Sequence, residues 1–276
     1  MNQKCHNDII ETENKRRSGG MTMENGSNYT ASKYRTPDGA PADIVIFTIT
    51  SEPQPTATKS LPKRELQVLL IKRKVWPYEG MWALPGGFSR ETESMYETAR
   101  RELQEETGVD GVHMEYFNVY SGPGRDPRGW IISHAFFALV HEKYLAARAA
   151  ADDAAEVALF PVSEALTRLE LAFDHRRILS DALERVKQSM LVTPIAGEFL
   201  PDEFTLGELY QVIRTVVPDF EEANFIRKMK STQSRSGVLE EIRDVNGEPK
   251  KSNRYSQRAA QLYRFTGNLP KLSLYS

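Results

Sequence analysis

Apolar and polar positions change their spacing several times along the chain, and each change marks an element. The first 40 or so residues hold few large apolar side chains among Asn, Ser, Thr, Gly, Lys and Glu, which predicts a mobile arm. After Pro41 a β-branched run, Asp43-Ile-Val-Ile-Phe-Thr-Ile-Thr50, predicts a strand. A Pro/Thr/Ser stretch at 51–62 reads as a loop, and 66–71 as the next strand. The Gly/Pro/Trp-rich passage from Trp76 to Phe88 is too rich in breakers for regular structure. Residues 93–107 predict a helix capped by Thr92 and ended by Gly108. Strands are expected at 112–120, 130–140 and 156–160, the last after an Ala/Asp-rich loop at 149–155, and a short helix at 163–169. Strands with few helices in mixed order point to an α+β sandwich rather than a regular βαβ wind.

The texture changes near Ala172. Ile178, Leu179, Ala182, Leu183, Val186 and Met190 are spaced for an amphipathic helix over 174–190. Thr205-x-x-Glu208 is a capping-box pattern opening a second helix at 206–217. Pro218-Asp219 separates it from a third at 220–231. Two strands, 238–243 and 260–265, then flank a basic segment at 244–258. Helix, helix, short turn, helix and a hairpin with a basic loop is the layout of a winged helix-turn-helix. The chain therefore divides into an arm at 1–41, an α+β domain at 42–170 and a winged-helix domain at 171–276.

Composition removes several function classes. One cysteine among 276 residues excludes a disulfide framework and a cysteine-based zinc site. No apolar run approaches the roughly 18 residues that span a bilayer, and the polar start lacks the apolar segment of a signal peptide. The expectation is a cytoplasmic protein with no membrane partner. The formal charge of −2 conceals an uneven distribution. From Asn224 onward eleven Lys and Arg stand against four acidic residues, a net +7, which leaves −9 for residues 1–223. Two modules with differently charged partners follow.

Glu102, Glu105 and Glu106 stand at i, i+3 and i+4, so all three leave one helix face. Such a row is either a solvated acidic face or a site for a cation. Like charges at this spacing cost a helix a few tenths of a kcal/mol. Oxygen-only donors suit Mg²⁺ or Mn²⁺ better than zinc. Arg101 can orient a member of the row, and Gly86 and Gly87 allow backbone groups close to a metal or phosphate.

The full string from Gly87 to Val109 is Gly, five residues, Glu93, seven residues, then Arg-Glu-Leu-Gln-Glu-Glu-Thr-Gly-Val. It resembles the signature of the Nudix hydrolases at every specified position. The resemblance implies an α/β/α sandwich with a mixed sheet and hydrolysis of a nucleoside diphosphate linked to another group. It also implies that Glu102, Glu105 and Glu106, with Gly87, hold the metal, while Glu93 and Arg101 shape the loop–helix–loop. Some family members draw a further carboxylate from a late loop. Glu156 is the candidate here, the alternative being a strand-edge Glu facing water.

Between two predicted strands, Tyr120-Ser-Gly-Pro-Gly-Arg-Asp-Pro-Arg-Gly-Trp130 forms a long loop of the kind that carries function. Arg125 and Arg128 are candidates for phosphate or ribose. Trp82, Phe88 and Tyr120 are candidates for base stacking, with core packing as the alternative for each. Gly124-Arg-Asp-Pro-Arg-Gly129 is similar to ADP-ribose pyrophosphatases, and more so to the Nudix domain of NrtR-type transcriptional regulators. ADP-ribose is the favoured ligand on that resemblance, with sugars as the alternative.

On the third C-terminal helix Asn224, Arg227, Lys228 and Ser231 make a polar stripe opposite Ala223, Ile226 and Met229. Asn and Arg so placed suit base edges in a major groove, while Lys250, Lys251, Arg254 and Arg258 suit a wing along the phosphates of duplex DNA. The alternative is a solvated basic face. Phe204-Thr-Leu-x-Glu-Leu, Asn224-Phe-Ile-Arg-Lys-Met and Ala260-Gln-Leu-Tyr-Arg-Phe265 resemble the NrtR-type winged helix. Regulators of that type often carry a decayed glutamate signature, and this one is intact. Two functions follow: a pyrophosphatase with an attached DNA-binding module, or a regulator whose Nudix domain senses its ligand without significant turnover. Either suits a homodimer.

Overall fold

The computed structural model describes residues 35–53, 60–149, 157–222, 225, 229, 238–255 and 258–266. β1 (Pro41–Ser51) lies at the centre of a seven-stranded sheet. On one side it pairs antiparallel with β2 (Arg64–Lys72), which also pairs with β3 (Trp82–Ala83) and β7 (Val157–Pro161). On the other side it runs parallel to β6 (Ser133–Leu139), which pairs antiparallel with β5 (His113–Tyr120). β4 (Gly86–Phe88) pairs with the first residues of β1. One parallel pair among antiparallel ones makes the sheet mixed, as an α+β sandwich requires.

A central strand covered on both faces must be apolar on both. Ile44 and Ile46 pack with Ala99 and Leu103 of helix α1 (Met95–Thr107). Val45, Phe47 and Ile49 belong to the opposite layer, with Phe137, Ile178 and Leu179. Each of these large side chains contributes about 1.5–3 kcal/mol by leaving water.

Helix α1 starts two residues later than its pattern suggests, and Ser94 replaces Thr92 as the cap. The Ser94 hydroxyl accepts from the Glu97 amide, while the Glu97 carboxylate accepts from the Ser94 amide at 2.7 Å. That reciprocal pair satisfies two donors that a helix otherwise leaves open. Gly108 ends the helix in the left-handed region with φ 65°. A further helix, α2 (Glu142–Ala149), occupies a stretch whose Ala/Asp texture had suggested only loop at its end. The strand expected from residue 130 begins at Ser133, because Gly129 to Ile132 are spent on a turn and on bonds to Asp38 and Gly39.

Beyond α3 (Val162–Thr167) the long helix α4 (His175–Val192) buries Ile178, Leu179, Ala182, Val186 and Met190 against the sheet. A 3₁₀ turn (Pro194–Phe199) leads through β8 (Phe204–Thr205) into α5 (Leu206–Val216). The expected capping box between Thr205 and Glu208 is present. β9 (Leu239–Glu241), β10 (Lys251–Ser252) and β11 (Ala260–Phe265) join β8 in an antiparallel four-stranded sheet, the wing. Of the third helix expected at 220–231, residues 222, 225 and 229 are helical, and Phe225 and Met229 are buried beside α5. The apolar core runs without a break from Val45 and Phe47 through α4 to Leu209, Ile213 and Phe225. Among the described residues no helix is long and apolar enough to cross a membrane.

Candidate functional site

The Nudix glutamates sit where the sheet, helix α1 and the turn at Gly86-Gly87 meet. A Cβ at Gly86 would collide with the Ala42 carbonyl, and one at Gly87 with the Glu102 carboxylate. Both positions therefore need glycine: Gly86 also has φ 151°, and Gly87 lets its backbone lie against a carboxylate.

The three carboxylates share a helix face but not one partner. Arg101 Nη1 donates to Glu102 at 2.5 Å and to Glu105 at 3.0 Å, while Arg101 Nε donates to Glu93 at 2.7 Å. Hydrogen bonding from Arg101 holds the Glu93 carboxyl down at about 2. Arg101 thus ties the glutamate ahead of the helix to two glutamates within it. Glu106 has a different partner and accepts the Gly86 amide at 2.7 Å. Burial pushes its pKa up to about 7, and the charges of Glu102 and Asp43 add to the rise. Among the described residues no three acidic, imidazole or thiol groups converge as a ready-made metal cage.

Glu106 opens onto a cavity of about 150 Å³ lined also by Asp43, Arg73, Gly87, Arg128 and Phe173. Two of the predicted ligand residues on the long loop reach it. Arg125 donates to both oxygens of Asp174, at 3.0 and 2.7 Å, and reaches Asp43 at 3.4 Å. Burial opposes its charge, yet the bonds to Asp174 and the proximity of Asp43 leave its pKa raised. Arg128 is held by Asp126 at 2.7 Å and lies over the rings of Phe88 and Phe173, with 4.9 and 5.4 Å to their centroids. Phe88 lines the cavity.

Trp82 does not reach the cavity. It is half-buried and packs edge-on against Phe160 at 4.8 Å on the core side of β3, and Tyr120 is buried, donating to Asp181 at 2.7 Å. Glu156 lies outside the described residues, as do Asn224, Arg227 and Lys228. Lys250, Lys251 and Arg254 fall on the wing; Lys250 is paired with Glu203 at 2.6 Å, and Lys251 and Arg254 are exposed.

Several lining residues escaped the sequence reading. Asp43 lies within the buried run of β1 and accepts from Ser133 at 2.5 Å. A lone carboxylate inside an apolar strand was the available signal, since buried charges need partners. Arg73 stacks over Phe173 at 4.9 Å and donates to the Pro77 carbonyl at 2.6 Å. His175, at the first turn of α4, accepts the Leu84 amide on Nδ1 at 2.9 Å, so its ring proton sits on Nε2, 3.8 Å from Asp43. Burial lowers its pKa, which keeps the ring neutral.

A mixed-sheet sandwich with a glutamate helix against a charged cavity, joined to a small winged helix, defines a Nudix fold carrying a DNA-binding module. Residues 57–182 match the NUDIX domain family and residues 196–265 the NrtR DNA-binding winged helix domain family. The chain belongs to the NrtR-type family, in which these two domains are fused. It is 32% identical over 209 residues to the ADPR responsive transcriptional repressor NtrR of Acinetobacter baylyi, covering 75% of this chain and 78% of that one. It is 40% identical over 125 residues to an ADP-ribose pyrophosphatase of Methanocaldococcus jannaschii, covering 45% of this chain and 70% of that one. The crystal structure of Shewanella oneidensis NrtR complexed with a 27mer DNA superimposes with a TM-score of 0.65 at 28% identity, over 85% of this chain and 98% of that one. Nudix hydrolases generally use a divalent metal, and the domain carries hydrolase potential.

Proposed function

We propose that the Nudix domain, residues 42–170, hydrolyses the pyrophosphate of ADP-ribose with Mg²⁺ or Mn²⁺, and that residues 171–276 bind duplex DNA under control of that ligand, as a homodimer. The observation that carries the reading is Glu106, the last glutamate of the α1 row, lining a cavity walled by Arg73, Arg125 and Arg128.

The residues fit a divalent cation. Where positive charge is needed, the Arg101 guanidinium stands against Glu102 and Glu105, and Glu106 is a buried carboxylate among like charges. Glu102, Glu105, Glu106 and the Gly87 backbone would hold the metal, all through oxygen. When bound it supplies charge neutralisation for the pyrophosphate and a lowered pKa for water. The chain's own groups do the rest. Arg128, fixed by Asp126 and by two rings, presents its charge to a phosphate without further ordering. Phe88 and Phe173 back the Arg128 guanidinium and give the cavity an apolar wall.

A second reading, sensing without turnover, draws support from the hold of Arg101 on Glu102 and Glu105 and from the similarity to a repressor along most of the chain. The deciding measurement is release of AMP and ribose 5-phosphate from ADP-ribose by the full chain with Mg²⁺. Turnover that Glu105→Gln or Glu106→Gln removes supports hydrolysis. Saturable binding without product supports sensing alone. Binding of the protein's upstream DNA, weakened by ADP-ribose, tests the second half.

A further inference from the structure

We propose a second ligand site, for a small sugar phosphate, in the cleft between the start of β2 and helix α5, built on Arg64 and Gln211. It is independent of the glutamate site.

Arg64, the first residue of β2, lies opposite Ser51 in the ladder with β1. Its Nε and Nη1 are buried and unpartnered. Burial also depresses its pKa, the mark of a charge removed from water. A guanidinium carries five donors and no acceptor, and native interiors seldom leave such groups unsatisfied. The nearby acids are already committed: Glu208 closes the Thr205 capping box, and Glu142 accepts from Ser51.

Gln211, on α5, supplies the complementary deficit. Its amide nitrogen donates to the Pro62 carbonyl, which fixes the orientation of the amide, and its Oε1 is buried without a donor. One wall of the cleft thus lacks acceptors and the other lacks a donor. An oxyanion alone would serve Arg64; a hydroxyl alone would serve Gln211. A phosphate monoester of a polyol carries both.

There is room. Arg64 lines two cavities, of about 410 and about 310 Å³, on either side of it. The larger also takes in Gln211, the exposed Arg214 and Lys63, whose ammonium is paired with Glu52 at 2.7 Å, with Glu222 as the opposing charge. Net positive lining favours an anion. Seating one requires the Arg64 nitrogens and the Gln211 Oε1, all closed to solvent, to turn toward the larger cavity. Duplex DNA is the poorer occupant, because its phosphates ride on surface cations and these nitrogens are not on the surface. A ligand here would bridge the two modules, since β2 belongs to one and α5 to the other.

The test is calorimetry and thermal shift of the full chain with ribose 5-phosphate, inorganic phosphate and ribose at constant ionic strength. Ribose 5-phosphate should bind saturably and more tightly than inorganic phosphate, and ribose should not bind measurably. Arg64→Gln should weaken ribose 5-phosphate at least tenfold, with partial recovery in Arg64→Lys. Gln211→Leu should weaken ribose 5-phosphate severalfold and leave inorganic phosphate unchanged. Arg128→Gln, which disables the glutamate-site cavity, should leave this binding intact. If Arg64→Gln does not fold, a shift of the Gln211 side-chain amide resonances on titrating the parent protein serves instead. The proposal is overturned if the parent shows no saturable binding, if Arg64→Gln binds as the parent does, or if Arg128→Gln abolishes the binding. It is equally overturned if Arg64→Gln weakens only DNA.

Discussion

Arg125 holds Asp174 by two parallel hydrogen bonds, 3.0 and 2.7 Å long, and so fastens the cavity to the first turn of α4. Asp174 occupies the helix N-cap but makes no side-chain cap bond, because its carboxylate is spent on Arg125. A ligand that draws Arg125 toward a phosphate pulls on the helix whose far end leads to the winged module. Asp174→Asn keeps the side chain's shape and loses one charge. It should lower stability by about 1.5–3 kcal/mol, the scale of a charged hydrogen bond. It should also reduce the effect of ADP-ribose on DNA affinity at least threefold, while ADP-ribose itself binds within a few-fold of the parent. Fluorescence anisotropy on labelled operator DNA, with and without ligand, measures this.

Glu106 gives the metal-free protein a pH signature. Its carboxyl titrates near 7 in the folded chain and near 4.5 when unfolded, so the folded state binds the proton more tightly. Stability is therefore lost as pH rises from about 4.5 to 7 and stays reduced above that, by on the order of 3 kcal/mol. In chelator, Glu106→Gln should raise the thermal midpoint at pH 8 and change it little at pH 4.5. Mg²⁺ should offset the loss in the parent at pH 8 and not in the variant. An equal rise for the variant at both pH values would contradict the account.

Glu105 is half exposed and Glu102 almost buried, although Arg101 binds both. Glu105→Gln should therefore fold as the parent does and lose at least about a hundredfold in turnover, with loss of the stabilisation that Mg²⁺ gives. Glu102→Gln should show the same loss and a lower midpoint as well. Paired melting and product assays at several Mg²⁺ concentrations separate the two.

The wing lysines should not contribute alike to DNA binding. Lys250 is engaged by Glu203 through bonds of 2.8 and 2.6 Å, whereas Lys251 is exposed in β10. Each phosphate contact adds about 0.9 to the slope of log affinity against log salt. Lys251→Ala and Arg254→Ala should each reduce that slope by about that amount, and Lys250→Ala by clearly less. Anisotropy titrations across a salt series test the ranking; equal slopes for all three variants would refute it.

What could be read in advance was what is local. Glu102, Glu105 and Glu106 lie within five residues of one helix, so spacing alone places them on one face. The capping box at Thr205 is local in the same way. The cavity is not local. Asp43 meets Ser133 from 90 residues away and Arg125 from 82, and those meetings depend on β6 running parallel beside β1. Spacing cannot report a register between distant strands. Trp82 illustrates the converse: an aromatic in a glycine-rich passage looks available to a ligand, but the pairing of β3 with β2 turns it onto Phe160. Thr92 and Ser94 were equivalent caps by type, and only the reach of Glu97 back to Ser94 separates them.

The unbroken core from β1 through α4 to α5 makes melting a joint affair. Cutting the chain near residue 170 would bare Val45 and Phe47, which share one core layer with α4, and would strip α5 of its seat. Heat should therefore give one cooperative transition, not two, whose calorimetric and van't Hoff enthalpies agree. Ligand-dependent protection should then spread to amides of the reader as well as the sensor.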